Sequence, residues 1–275
     1  MPKVPRVAES KDSCTDVTPV LEVQKLHKAF GGLVAINRLS FKVNRGEILA
    51  IIGPNGAGKT TLFNMINRFQ PVSGGEILFE GKSINGLSPP RVAALGIART
   101  FQLLQIFSNM SVVENVMVGR HLRSKGGILA TGLRLPYTRR EERSIFEEAM
   151  SKLAMVGLKE EAFSSPLNLP FGRQKTLEIA RALAMEPKVL LIDEPAGGLS
   201  TREIEQLGQF IKRIRDDGIT ILLVEHRMQL VMDIADRVIV LNYGSKIGEG
   251  TPAEIQSNEE VIVAYLGEES YRMKR

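Results

Sequence analysis

The chain has 275 residues, room for one large α/β domain or a core with a smaller subdomain, and its 43% hydrophobic and 24% charged content is that of an ordinary globular protein. It has no apolar run of about 18 residues, which excludes a membrane-spanning helix, and its first residues lack the apolar stretch expected of a secretory signal. Net charge is +5, and the single Cys14 can neither form an internal disulfide nor complete a metal site, as expected in a reducing compartment.

Residues 1–19 are rich in Pro, Ser, Asp and Lys and are expected to form a disordered tail. Val20–Leu26 and Leu39–Val43 alternate apolar with polar residues, which predicts strands with one solvated face. Glu47–Ile52 is more continuously apolar, the pattern of a central strand, and a helix-compatible stretch runs from Thr60 to Arg68. A turn at Pro71–Gly75 leads to a short strand at Glu76–Glu80. Between residues 89 and 165 the strand patterns thin out, and helical periods appear at Pro89–Leu95, Ser111–His121 and Arg139–Val156, with a loop at Gly126–Pro136. This span reads as an inserted, mainly helical subdomain. Helices are then expected at 172–185, Thr201–Asp216 and Met228–Asp236. They alternate with strands at Lys188–Asp193, Thr220–Glu225 and Val238–Asn242, which implies an α/β fold with a mainly parallel sheet.

Between the central strand and the first helix stand Gly53, Pro54, Asn55, Gly56, Ala57, Gly58, Lys59, Thr60 and Thr61, matching G-x-x-x-x-G-K-[ST] at every fixed position. Glycines let such a loop curl so that its N–H groups converge on phosphate oxygens, and the following helix adds its positive end. Lys59 is expected to reach the β- and γ-phosphates and the Thr60 hydroxyl to hold Mg²⁺, so the loop predicts nucleoside triphosphate binding. The strand Val189–Asp193 ends in Asp193 and Glu194, the first suited to the Mg²⁺ shell, the second to orienting or deprotonating an attacking water. His226 follows another apolar strand, at the end where ligands of parallel sheets gather. Arg120–Arg143 carries seven basic residues against Glu141 and Glu142, a stripe open to nucleic acid, to anionic lipid, or simply to solvent.

Taken in order, the loop 53–61, Gln102 within Arg99-Thr-Phe-Gln102, Leu169-Pro-Phe-Gly-Arg173, Asp193-Glu194-Pro195 and His226 resemble the ATP-binding cassette family over roughly residues 20–267. Phe30-Gly-Gly-Leu33, Ala98–Gln102, Leu177–Arg181, Glu194–Leu199 and Ala264-Tyr-Leu-Gly267 resemble its branched-chain amino acid importer group. The resemblance implies a P-loop core with an N-terminal antiparallel β region, an inserted helical subdomain at about 89–165, and a C-terminal tail at 268–275. It implies an ATPase that uses ATP and Mg²⁺ to power import. Phe30 would stack on adenine. Gln102 would touch Mg²⁺ and sense the membrane partner. Leu169, Pro170, Phe171 and Gly172 would complete the ATP site of a second subunit arranged head to tail. Implied partners are membrane permease subunits, a second ATPase that is an identical copy or a homologue, and indirectly a solute-binding protein. Nucleic acid is not expected. The expected place is the cytoplasmic face of the plasma membrane, as a peripheral subunit. Alternatives are a related importer for urea, amides or other amino acids, and a soluble cassette acting on ribosomes or DNA. Two departures from the family pattern stand out. Pro170, Phe171 and Arg173 replace a usual serine, glycine and glutamine, and Ser200 stands where the loop after Pro195 usually ends in Asp.

Overall fold

The computed structural model describes residues 18–121 and 136–264. The tail expected at the N-terminus up to residue 17, the loop expected at Gly126–Pro136 up to residue 135, and the tail from 268 lie outside these residues, as do Arg123, Lys125 and Arg134 of the basic stripe. At the two ends of that stripe, Arg120 is held by Glu148 at 2.6 Å and Glu186 at 2.9 Å, and Arg143 by Glu147 at 3.0 Å. Among the described residues, no helix is long and apolar enough to cross a membrane.

Strands β1 (Leu21–Phe30) and β2 (Leu33–Val43) form a hairpin that joins β4 (Gly74–Phe79) and β5 (Lys82–Ser83) in an antiparallel sheet of order β2-β1-β4-β5. The hairpin runs further than its alternating segments predicted. Register shifts between Val23 and Ala29 break the period of two, so the sequence pattern lapses while the pairing continues to Phe30 and Leu33. The second sheet contains β3 (Ile48–Ile52), β6 (Ile97–Arg99), β7 (Val189–Asp193), β8 (Thr220–Val224), β9 (Arg237–Asn242) and β10 (Ser245–Gly250), in the order β10-β9-β3-β8-β7-β6. Only the β9–β10 pair is antiparallel. Every residue of β3, β7 and β8 is buried, because helices and the other sheet cover both faces.

Helix α1 (Lys59–Ile66) packs between the sheets, with Leu62, Phe63, Met65 and Ile66 in one apolar cluster with Leu49, Ile51, Leu26 and Phe41. Val92 of α2 (Pro89–Leu95) and Ile97 of β6 belong to that same cluster, so the part of the chain up to Arg99 packs with the sheets. The separate helical layer comprises α3 (Val112–His121), α4 (Pro136–Met155) and α5 (Phe171–Leu183), joined through Val112, Val116, Ala149, Leu153, Leu177 and Ala180. The other face of α5 lies with α6 (Thr201–Asp216) against the central sheet through Ile179, Leu183, Leu207 and Ile211. α5 therefore touches both layers. Helix α7 (Met228–Ile234) and α8 (Pro252–Gln256) close the β9–β10 end around Val231, Val240 and Ile255.

Candidate active site

The phosphate loop leaves β3 at Gly53 and enters α1 at Lys59. Gly58 is the N-cap of α1, in the left-handed region at φ 101°, and a Cβ there would lie 2.5 Å from the Ala35 carbonyl oxygen. A Cβ on Gly53 would lie 2.1 Å from the Leu241 carbonyl oxygen. Both contacts are to backbone, so only glycine fits. Nothing would stand within 4 Å of a Cβ on Gly56, where the loop opens outward. No side chain caps α1, and its positive N-terminal end points into the loop, as a site for an anion requires. The buried Lys59 ammonium donates to the carbonyls of Gly53 at 2.6 Å and Pro54 at 2.9 Å, which fixes it over its own loop.

A cleft of about 420 Å³ opens above the loop, lined by residues Asn55–Thr61 together with Phe30, Gln102 and Glu194. Leu33, Val34, Ala35 and Tyr243 also line it; sequence reasoning named none of them as a site residue, and only Leu33 stood in a family motif. Tyr243 belongs to the two-residue turn between β9 and β10, where both Tyr243 and Gly244 have positive φ. That turn is docked on the site: Asn37 N–H donates to the Gly244 carbonyl at 2.8 Å, and Gly244 N–H to the Ala57 carbonyl at 3.1 Å. The neighbouring asparagine and glycine, Asn242 and Gly244, are hairpin signals, but no local pattern tells which distant loop the turn will meet.

Glu194 follows β7 with φ 46°, an uncommon conformation for a residue with a side chain. Its Oε2 accepts a hydrogen bond from Gln102 Nε2 at 2.7 Å and lies 3.8 Å from His226 Nδ1. Three residues from loops far apart in sequence thus converge on one oxygen beside the cleft. Asp193, one residue earlier, is buried. Its Oδ2 takes a 2.7 Å hydrogen bond from Arg99, while Oδ1 is buried with no donor. Arg99 also donates to Asn64 on α1 at 2.7 Å and lies over the rings of Phe63 and Phe101, at 5.5 and 5.3 Å.

That unpaired carboxylate oxygen suits a hard cation, and a hydroxyl (Thr60), a carboxylate (Asp193) and an amide oxygen (Gln102) are the donors Mg²⁺ accepts. Among the described residues, no group of three or more His, Cys, Asp or Glu can hold a metal ion. Mg²⁺ bound through one carboxylate completes its shell with phosphate oxygens and water, so the donor set fits an ion arriving with the nucleotide.

Leu169–Gly172 stands elsewhere. Pro170 is the N-cap of α5, and Gly172 lines a pocket with Lys175, Leu199 and Glu203 that shares no residue with the cleft. The departures from the family pattern have local explanations. The Phe171 ring lies against Gly198, where an added Cβ would be 2.9 Å from it, and under the Lys175 ammonium at 5.3 Å. Arg173 pairs with Glu161 and donates to the Gly157 carbonyl, tying α5 to the preceding turn. Ser200 caps α6 in a reciprocal capping box with Glu203, a role its hydroxyl fills as well as an aspartate would.

The model of the family described as "ABC transporter" matches residues 36–197, and that of the "branched-chain amino acid ATP-binding cassette transporter" matches residues 245–271. The high-affinity branched-chain amino acid transport ATP-binding protein LivG of Salmonella typhimurium is 42% identical over 251 residues, covering 91% of this chain and 98% of LivG. BraF of Pseudomonas aeruginosa, with the same description, is 43% identical over the same shares. A solved nucleotide-free ATP-binding cassette from an ABC transporter superposes with a TM-score of 0.79 at 30% identity, over 90% of this chain and 98% of that one. An ATP-binding cassette of an ABC transporter solved in its ADP conformation gives 0.79 at 31% identity, over 90% and 99%. With the phosphate loop, the paired acids after β7 and near full-length coverage all in agreement, this chain belongs to the ABC transporter family, as one of its ATP-binding subunits.

Proposed function

We propose that the chain hydrolyses ATP at the cytoplasmic face of the plasma membrane to drive import of branched-chain amino acids, working with separate permease subunits and a second ATPase subunit. The convergence of Gln102 and His226 on Glu194 Oε2 carries the hydrolytic part of this reading. The C-terminal match at 245–271 and the names of LivG and BraF favour branched-chain amino acids over urea or amides. Residues 20–267 act as the ATPase domain, with Phe30 against the adenine and Asn55–Thr61 around the phosphates. Thr60, Asp193 and Gln102 would hold Mg²⁺, which would neutralise charge on the phosphate oxygens. Lys59 draws off negative charge at the β- and γ-phosphates. Glu194 takes the proton of the attacking water as its oxygen bonds to the γ-phosphorus and the bond to ADP breaks. His226 and Gln102 orient that carboxylate and the released phosphate. Gly172 and the N-terminus of α5, outside the cleft, face the nucleotide of the second subunit. Exposed Phe101, Leu103 and Phe107 flank Gln102 and offer the permease an apolar contact.

The test uses the subunit purified from native membranes with whatever permease, binding protein and second ATPase accompany it, reconstituted in vesicles. ATP-driven uptake of leucine, isoleucine or valine is expected, and uptake of urea alone would overturn the substrate assignment. Glu194→Gln should keep nucleotide affinity and lose turnover, whereas Lys59→Ala should lose affinity itself. Normal turnover in Glu194→Gln would remove that residue from its role.

A further inference from the structure

Glu194 holds its side chain over the cleft from a left-handed backbone conformation, and that conformation needs an external restraint. Two buried groups of opposite charge supply it. From α5, the Lys175 ammonium donates to the Pro195 carbonyl at 2.9 Å and approaches the Glu194 carbonyl at 3.4 Å. From the end of β8, fully buried Glu225 accepts the Ala196 N–H at 2.9 Å through Oε1. Its Oε2 accepts the N–H groups of His226 and Arg227, both at 2.7 Å. The turn after Glu194 is therefore gripped at its carbonyls by a cation and at its next N–H by an anion. The same anion fixes the backbone that presents His226. Hydrogen bonds with one charged partner are about twice as strong as neutral ones, and burial keeps water from replacing them.

We propose that Lys175 and Glu225 are positioning residues for ATP hydrolysis, which together hold Glu194 and His226 in register over the bound nucleotide. Neither touches the cleft. The inference rests on the reading of Glu194 as the hydrolytic carboxylate. It adds that the N-terminal turns of α5 set that carboxylate's geometry from inside the same chain.

Lys175→Met keeps an unbranched side chain of similar length beside Phe171 and removes the donor. In the reconstituted transporter it should lower kcat by about 10- to 100-fold, the size of effect of a small misplacement of a reacting group. Affinity for a fluorescent ATP analogue should stay within about threefold. In the same full-length subunit without nucleotide, amide hydrogen exchange at residues 194–198 should quicken while that of the loop 53–61 stays unchanged. Lys175→Arg, which can still donate to both carbonyls, should recover part of kcat. Glu225→Gln should quicken exchange at Ala196 and His226. Unchanged kcat, or unchanged exchange at 194–198, overturns the proposal. So does a parallel loss of kcat, affinity and thermal stability that Lys175→Arg does not relieve, which marks Lys175 as a packing residue. Should Lys175→Met not fold, Lys175→Gln takes its place with the same criteria. A wild-type chain without turnover would refute the transport reading, while the exchange measurement would still decide on the clamp.

Discussion

Without the Arg99 guanidinium, Asp193 would be a buried carboxylate lacking its cation, since the two side chains are only 6% and 1% exposed. Breaking such a pair by removing one member typically costs about 3–5 kcal/mol. Arg99→Ala should therefore lower stability in urea by that amount, and Arg99→Lys by less, because lysine restores the charge but cannot also bridge to Asn64. A loss below about 1 kcal/mol would mean that Asp193 finds another partner or takes up a proton. Arg99 also shows how far sequence carries at this scale. Lys59, Asp193, Glu194 and His226 were legible because each stands next to a loop or strand end whose chemistry is local. Arg99, Lys175, Glu225 and Tyr243 were not legible as parts of the site. Glu225 acts on Ala196 across 29 positions and Arg99 on Asp193 across 94, and residue type alone does not encode such distances.

Along α5, Lys175 and Glu178 stand three residues apart, so both reach from the helix toward the cleft-side loops. Glu178 accepts the Phe101 N–H at 3.0 Å and so holds the backbone just before Gln102. Burial pushes its carboxyl pKa up, against the hydrogen bond from Phe101 and the charges of Arg181 and Lys175. The folded chain therefore binds that proton more tightly than the unfolded chain. The resulting stability is fully present below the ordinary glutamate value of about 4.3 and is lost as pH rises through the folded value. Melting curves should show the wild type gaining on Glu178→Gln as pH falls toward the ordinary glutamate value of about 4.3. A constant difference between the two would refute the shift. At the start of the helix, Pro170 caps α5 without a side-chain hydrogen bond. Pro170→Ser would add a capping oxygen, worth about 0.5–2 kcal/mol, and forfeit the proline's entropic advantage of about 0.4–1 kcal/mol. The net change in stability should thus lie between a loss of about 0.5 and a gain of about 1.6 kcal/mol. The new hydroxyl should raise turnover at the site it faces in the second subunit, read as steady-state ATPase of the assembled transporter, and no rise would show the missing hydroxyl to be neutral. Elements with strong periods, α5 and α6 among them, were legible. β6 is three residues long and β10 contains two glycines, so neither shows an alternation to read, and both form through backbone pairing with a neighbour already in place.

Over the whole molecule, the helical layer and the central sheet meet along α5, which is why a change at its N-terminal turns can be felt at Glu194 without passing through the cleft. The turn at Tyr243–Gly244 has a different consequence, which concerns the order in which the protein is made. Its carbonyl and N–H join Asn37 to Ala57, and β9, which leads into it, pairs directly with β3. The phosphate loop is thus synthesised early, yet one of its braces is a segment that leaves the ribosome about 180 residues later. A nascent chain halted before residue 237 carries every residue of the G-x-x-x-x-G-K-[ST] motif and lacks the strand and turn that hold it in shape. Ribosome-bound chains of increasing length should therefore acquire ATP binding in one late step, once Gly244 has emerged, and not when Thr61 does. Such timing would keep unfinished copies from occupying nucleotide, or a place in the transporter, before they can work.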